Sequence, residues 1–159
     1  MPFRFDEMLM ALTKLLHTTA TFLIVEDDAI TRDLMSSLAT RMGFSKVWTA
    51  LEGGEGLQIA ARHKPTVIVT DLQMEPVDGL MLLGGLRASR EWEIATVPVF
   101  FFTSHQDIDV VQRARNKDVT NFFIKPFNPG AFSEKLAEAA AKRFSEIARW
   151  KASEDTSEG

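Results

Sequence analysis

The chain has 159 residues, 45% of them hydrophobic and 25% charged, with a net charge of −4. These values suit one globular domain with a proper core and leave no basic stripe for nucleic acid. The absence of cysteine excludes a disulfide framework and a thiolate metal site, and histidines at 17, 63 and 105 lack zinc-type spacing. No apolar run reaches membrane-spanning length, and Asp6-Glu7 stand where a signal peptide would be basic. A soluble cytoplasmic domain with neither membrane nor nucleic-acid partner is the expectation.

Residues 2–17 predict a helix, with Phe5, Leu9, Leu12 and Leu16 at helical spacing. After the Thr18–Thr21 linker, Phe22–Val25 predicts a strand that ends abruptly in Glu26-Asp27-Asp28. Asp28 is placed to cap a helix over Ala29–Met42, with Ile30, Leu34 and Leu38 as its inner face and Gly43 as its C-cap. Lys46–Ala50 is a more polar strand, suited to a sheet edge, and Leu51–His63 a helix weakened by Gly53, Gly54 and Gly56.

Val67-Ile68-Val69 is an apolar run without alternation, the pattern of a strand buried on both faces, and it stops at Asp71. Pro76 and Gly79 mark the loop that follows, and a helix over Leu80–Ser89 turns Leu82, Leu83 and Leu86 inward. Gly84-Gly85 within it suggest close packing or a loose segment. Val97–Phe102 is the fourth strand, ending in Thr103-Ser104, and Ile108–Lys117 a short charged helix. Asn121–Ile124 is the fifth strand, ending in Lys125-Pro126-Phe127. Asn128 caps the last helix and Pro129 opens it. That helix is expected to reach Trp150, with a polar, unordered tail over 154–159.

Strands alternating with helices imply a parallel sheet with right-handed crossovers. Such a sheet brings Glu26, Asp27, Asp71, Thr103 and Lys125 to one edge, where ligands of open α/β sheets bind. Clustered carboxylates need a cation, and hard oxygen ligands select Mg²⁺ or Mn²⁺. Together with a lysine and a hydroxyl they suit phosphoryl transfer to an aspartate oxygen. Asp28 is a helix cap rather than a ligand, and Phe100, Phe101, Phe102 and Phe123 are core.

At these residues the chain resembles the CheY-like receiver domains of response regulators. The resemblance rests on Val25-Glu-Asp-Asp28, Val69-Thr-Asp-Leu-Gln-Met74 with Asp78-Gly79, Phe102-Thr-Ser104 and Ile124-Lys-Pro-Phe127. It implies a flavodoxin-like, doubly wound five-stranded parallel sheet of order 2-1-3-4-5 over residues 21–142. Residues 1–20 would add a helical extension and linker, and 143–159 an extension of the last helix and a tail.

The resemblance also implies roles. Asp71 would be the phosphoacceptor. Mg²⁺ would be held by Asp27, Asp71 and the backbone carbonyl of Gln73, with Glu26 acting through water. Lys125 would pair with the phosphoryl group, and Thr103 and Phe122 would form the switch. His105 is expected in an exposed loop; in the alternative reading it would, with Gln73, tune dephosphorylation. The Lys125–Pro126 bond would be cis. A histidine kinase or histidine phosphotransfer protein would donate the phosphoryl group, and the chain would signal through a downstream protein without an output domain. It would be a signalling protein whose only chemistry is its own phosphoryl transfer and slow autodephosphorylation.

Some positions depart from the family pattern. Pro76 is displaced one place by Glu75, Asp118-Val119 replace the usual Gly-Ala, Phe122 lacks a hydroxyl and Leu72 stands in place of Trp. The alternative reading is a binding or dimerisation module that works without phosphorylation. A phosphatase-type hydrolase is a weaker fit, since Gln73 stands where its second Asp would be, and His17 lacks the helical bundle of a phosphotransfer histidine. The last helix carries an apolar stripe (Phe132, Leu136, Ala140, Phe144, Ile147) to Trp150, so the two terminal helices are expected to pack together, within one chain or across a homodimer.

Overall fold

The structure is a computed structural model that describes residues 19–107, 109–110, 121–126 and 128–157. The expected helix over 2–17, most of that over 108–117, the Asp118-Val119 turn and His17 lie outside the described residues. In chain order the elements are β1 (Thr21–Val25), α1 (Ala29–Met42), β2 (Lys46–Ala50), α2 (Gly53–His63), β3 (Val67–Asp71), α3 (Gly79–Arg87), a short α4 (Trp92–Ala95), β4 (Val99–Thr103), a 3-10 turn (His105–Asp107), β5 (Asn121–Ile124) and α5 (Pro129–Ser157).

All four strand pairings are parallel and the order is 2-1-3-4-5, so the fold is the flavodoxin-like one expected. Successive strand residues point to opposite faces. Phe22, Ile24, Val67, Val69, Phe100, Phe102 and Phe123 pack on one face under α1 and α5. Leu23, Val25, Ile68 and Phe101 pack on the other under α2 and α3. Both faces are covered, which is why β1, β3 and β4 read as unbroken apolar runs. The polar β2 lies on the edge, as its sequence indicates.

Three expectations are corrected. The inner face of α1 is Met35, Leu38, Ala39 and Met42, whereas Ile30 and Leu34 are exposed, at 81% and 50%. The helix carries two apolar stripes, and the sheet takes the C-terminal one, which lies over the body of the strands. Second, α2 starts at Gly53 rather than Leu51, because Glu52 caps it through the Gly54 and Glu55 amides. Third, α5 does not end at Trp150 but runs to Ser157, about 44 Å in all at 1.5 Å per residue. Lys151-Ala-Ser-Glu-Asp contains no Gly or Pro to stop it.

The α5 extension finds a partner that the sequence did not announce. Trp150 stacks on Trp92 of α4, with centroids 4.7 Å apart and planes 12° apart. Arg143, 1% exposed, sends Nη1 to the Thr96 hydroxyl at 2.8 Å and Nη2 to the Glu93 carbonyl at 2.7 Å. Its guanidinium lies 5.0 Å from the centre of the Trp92 ring. Part of the apolar stripe is therefore covered by the chain itself. Among the described residues no helix is long and apolar enough to cross a membrane.

Candidate functional site

The carboxyl edge of the sheet collects the residues singled out in the sequence. The Glu26 amide still bonds the Ala50 carbonyl at 3.0 Å, so β1 holds this residue in register as the chain leaves the sheet. Arg32 reaches back from α1 and donates to the Glu26 carbonyl at 2.9 Å and the Asp27 carbonyl at 3.4 Å. Asp28 caps α1 as expected, accepting from the Thr31 amide at 2.9 Å and the Thr31 hydroxyl at 2.6 Å. Glu26 is thereby buried and Asp27 left exposed.

Asp71 closes β3 at 8% exposure. The Leu72 amide donates to its Oδ1 at 2.8 Å and the Thr70 hydroxyl to its carbonyl at 2.9 Å. Gly79 explains itself here: a Cβ at that position would run into the Asp71 carbonyl, and the Gly79 amide bonds the Leu72 carbonyl at 2.9 Å. Asp78 caps α3 through the Met81 amide. From β5, Lys125 places Nζ 3.5 Å from Asp71 Oδ1 and 5.2 Å from the centre of the Phe102 ring. The Lys125 amide bonds the Thr103 carbonyl at 2.8 Å, which joins the exits of β4 and β5. Lys125–Pro126 is cis as expected, and Glu75–Pro76 is cis as well.

One oxygen each from Glu26, Asp27 and Asp71 lies within 4.8 Å of the others. Burial, followed by the Asp71 charge, raises the Glu26 pKa to about 7. Burial also raises that of Asp71, opposed by Lys125 and by the Leu72 amide. Glu26 Oε2 is buried without a hydrogen-bond partner. A buried carboxylate oxygen lacking a donor is costly, and a hard divalent cation supplies what is missing. The donor set, all oxygen and anionic, fits Mg²⁺ or Mn²⁺.

Thr103 ends β4 buried, its hydroxyl 3.5 Å from the Ser104 carbonyl. Phe122 is half-buried against the core beneath α2 and α3, beside Phe101 in register. Gln73 lines, with Asp27, Glu75, Asp78 and Asp107, a cleft of about 640 Å³. His105 opens the 3-10 turn, and its side chain lies outside the described residues. Sequence reading missed Asp107, whose carboxylate takes the Gln73 amide at 3.2 Å, and Glu52, which also accepts from the Val77 amide at 3.3 Å. Glu52 had little signal, because Glu is not among the favoured N-cap residues. Asp107 had none.

A doubly wound sheet of order 2-1-3-4-5, with carboxylates, a lysine and a threonine at its carboxyl edge, is the build of a CheY-like receiver. Residues 22–137 match the response regulator receiver domain, and the chain belongs to that family, a component of two-component signal transduction. It is 29% identical over 125 residues to the transcriptional regulatory protein PdtaR of Mycobacterium tuberculosis, a match covering 79% of this chain and 58% of that protein. It is also 29% identical over 117 residues to a chemotaxis protein CheY homolog of Campylobacter jejuni, covering 73% of this chain and 88% of the other. The structure of chemotaxis response regulator CheY4 of Vibrio cholerae superimposes with a TM-score of 0.69 at 25% identity, over 77% of this chain and 99% of that one.

Proposed function

We propose that this chain is a phosphorylation-dependent switch in the cytoplasm, with Asp71 as phosphoacceptor and a histidine kinase or histidine phosphotransfer protein as donor. The observation that carries this reading is the meeting of Asp71, Glu26, Asp27 and Lys125 at one sheet edge. An Asp71 carboxylate oxygen bonds to the phosphorus of a phosphohistidine while the phosphorus–nitrogen bond breaks, leaving the histidine with the electron pair. Lys125, already 3.5 Å from Asp71, neutralises the incoming anion. Asp27, Asp71 and the Gln73 carbonyl, with Glu26 through water, are the residues that would hold Mg²⁺ or Mn²⁺, which when bound supplies charge neutralisation for the transfer.

Thr103 and Phe122 are the proposed switch pair. A phosphoryl group on Asp71 favours a Thr103 hydroxyl turned toward it, and Phe122 follows on the adjoining strand. The shared β4–β5 exit gives the shift a route to the surface, where a downstream protein reads it. Self-association is proposed through the apolar residues of segment 1–18 and of the α5 extension. An unchanged oligomeric state and melting temperature on removing 1–18 would overturn that part.

The test is intact mass after incubation with Mg²⁺ and acetyl phosphate, or with a phosphorylated kinase. One phosphoryl group gained, and lost with chelator or in Asp71→Ala, is the expected result. No gain from either donor, with no binding of beryllofluoride, would instead favour a binding module independent of phosphorylation.

A further inference from the structure

Gln73 follows Asp71 by two residues and Asp107 follows Thr103 by four, on loops that leave adjacent strands. Asp107 is fixed by its own turn: its amide bonds the Ser104 carbonyl at 3.1 Å, and the Ser104 hydroxyl donates to its Oδ2 at 3.0 Å. Across the cleft the Gln73 side-chain nitrogen donates to both Asp107 oxygens, each at 3.2 Å. A carboxamide facing a carboxylate has one stable orientation, nitrogen toward it, because the reverse sets oxygen against oxygen. Asp107 therefore fixes which way the Gln73 amide points and leaves Gln73 Oε1 unused by this contact. The same cleft is lined by Asp27 and Leu72, the neighbours of Asp71 in the site.

We propose that Asp107 is a positioning residue that orients the Gln73 carboxamide beside Asp71 and so sets the lifetime of the phosphoryl group carried there. This rests on the reading of Asp71 as phosphoacceptor. In hydrolysis a water oxygen bonds to phosphorus and the phosphorus–oxygen bond to Asp71 breaks, its electron pair returning to the carboxylate. One water proton stays on the departing phosphate and the other passes to solvent. An amide oxygen is too weak a base to take that proton but is a good acceptor with which to hold the water in line. Its effect is orientation, and orientation is lost when the side chain turns freely. The Ser104–Asp107–Gln73 chain ties the β4 exit to the loop after β3, so the residue beside the switch threonine also governs the Gln73 rotamer.

The experiment follows decay of the acyl phosphate by intact mass after acetyl phosphate is removed from the Mg²⁺-loaded full chain. Asp107→Ala is expected to slow decay about fivefold, the order of one lost hydrogen-bonded restraint. Asp107→Asn can face Gln73 with its oxygen or its nitrogen, so it fixes the amide less firmly and should decay at a rate between wild type and Asp107→Ala. Gln73→Ala should be as slow as Asp107→Ala, and the double variant no slower than Gln73→Ala. Additive effects would overturn the proposal by making an independent contact the cause. Nitrogen–proton NMR of the unphosphorylated chain supplies a second readout: the Gln73 side-chain amide signals should shift in Asp107→Ala. Unmoved signals in Asp107→Ala would also overturn it. Failure of wild type to take up phosphate from acetyl phosphate or a phosphorylated kinase, or to bind beryllofluoride, with the NMR result as expected, would defeat the phosphoacceptor reading and leave the contact standing.

Discussion

The two ends of the sheet bury charge in opposite ways. At the amino edge Arg143 is enclosed by Glu93, Thr96, Trp92 and Glu146, and only its Nε lacks a partner. At the carboxyl edge Glu26 is enclosed by other carboxylates, one of its oxygens has no donor, Lys125 leans on Asp71, and Arg32 donates to backbone carbonyls. A buried charge with partners is part of the scaffold, whereas one set against like charges is held for something the protein has yet to bind. The difference separates structure from function within one small domain.

The sharpest way to break that comparison is to remove one charge from each end. Asp71→Ala should stay folded and lose all phosphoryl uptake by intact mass. Arg143→Met should take up phosphate like wild type yet melt roughly 6–10 °C lower, about 3 kcal/mol, because the Thr96 hydroxyl and Glu93 carbonyl lose their donors. An Arg143 variant that melted normally would show the amino edge to be idle.

The pH dependence of stability comes next in size. Glu26 holds its proton more tightly folded, with a pKa of about 7, than unfolded near 4.5. Its contribution is fully present below the unfolded value and is lost as pH rises to 7, about 3 kcal/mol in all. Chelator-treated wild type should therefore lose stability in chemical denaturation between pH 4.5 and 7, and Glu26→Gln should flatten that slope. An identical slope in the variant would place the titration elsewhere. Trp150→Ala should cost about 1 kcal/mol through the lost stack with Trp92. Gly84→Ala is the smallest effect and the one gain, up to about 1 kcal/mol, because a Cβ there meets nothing within 4 Å.

Strand ends were legible because β-branched and aromatic runs stop at polar residues, which local pattern alone reveals. The edge they share follows from parallel topology, so the sequence alone groups Glu26, Asp27, Asp71 and Lys125. Arg143 was half legible. Positions 136, 140 and 143 recur at helical spacing and place it on the buried stripe, but its charge argued for the surface. The Gln73–Asp107 contact joins residues 34 apart with no local signature, and the choice between two apolar stripes on α1 depends on how far that helix overhangs the sheet. Such facts belong to tertiary packing.

The measurement that bears most directly on the carboxyl edge is the melting temperature of the wild-type chain at pH 7.5 in 10 mM Mg²⁺ and in chelator, beside Asp27→Ala. Relief of the clustered charge predicts a higher melting temperature with Mg²⁺ in wild type and none of that gain in Asp27→Ala. Equal melting temperatures in wild type would contradict the account, because the buried carboxylates would then be balanced without a cation.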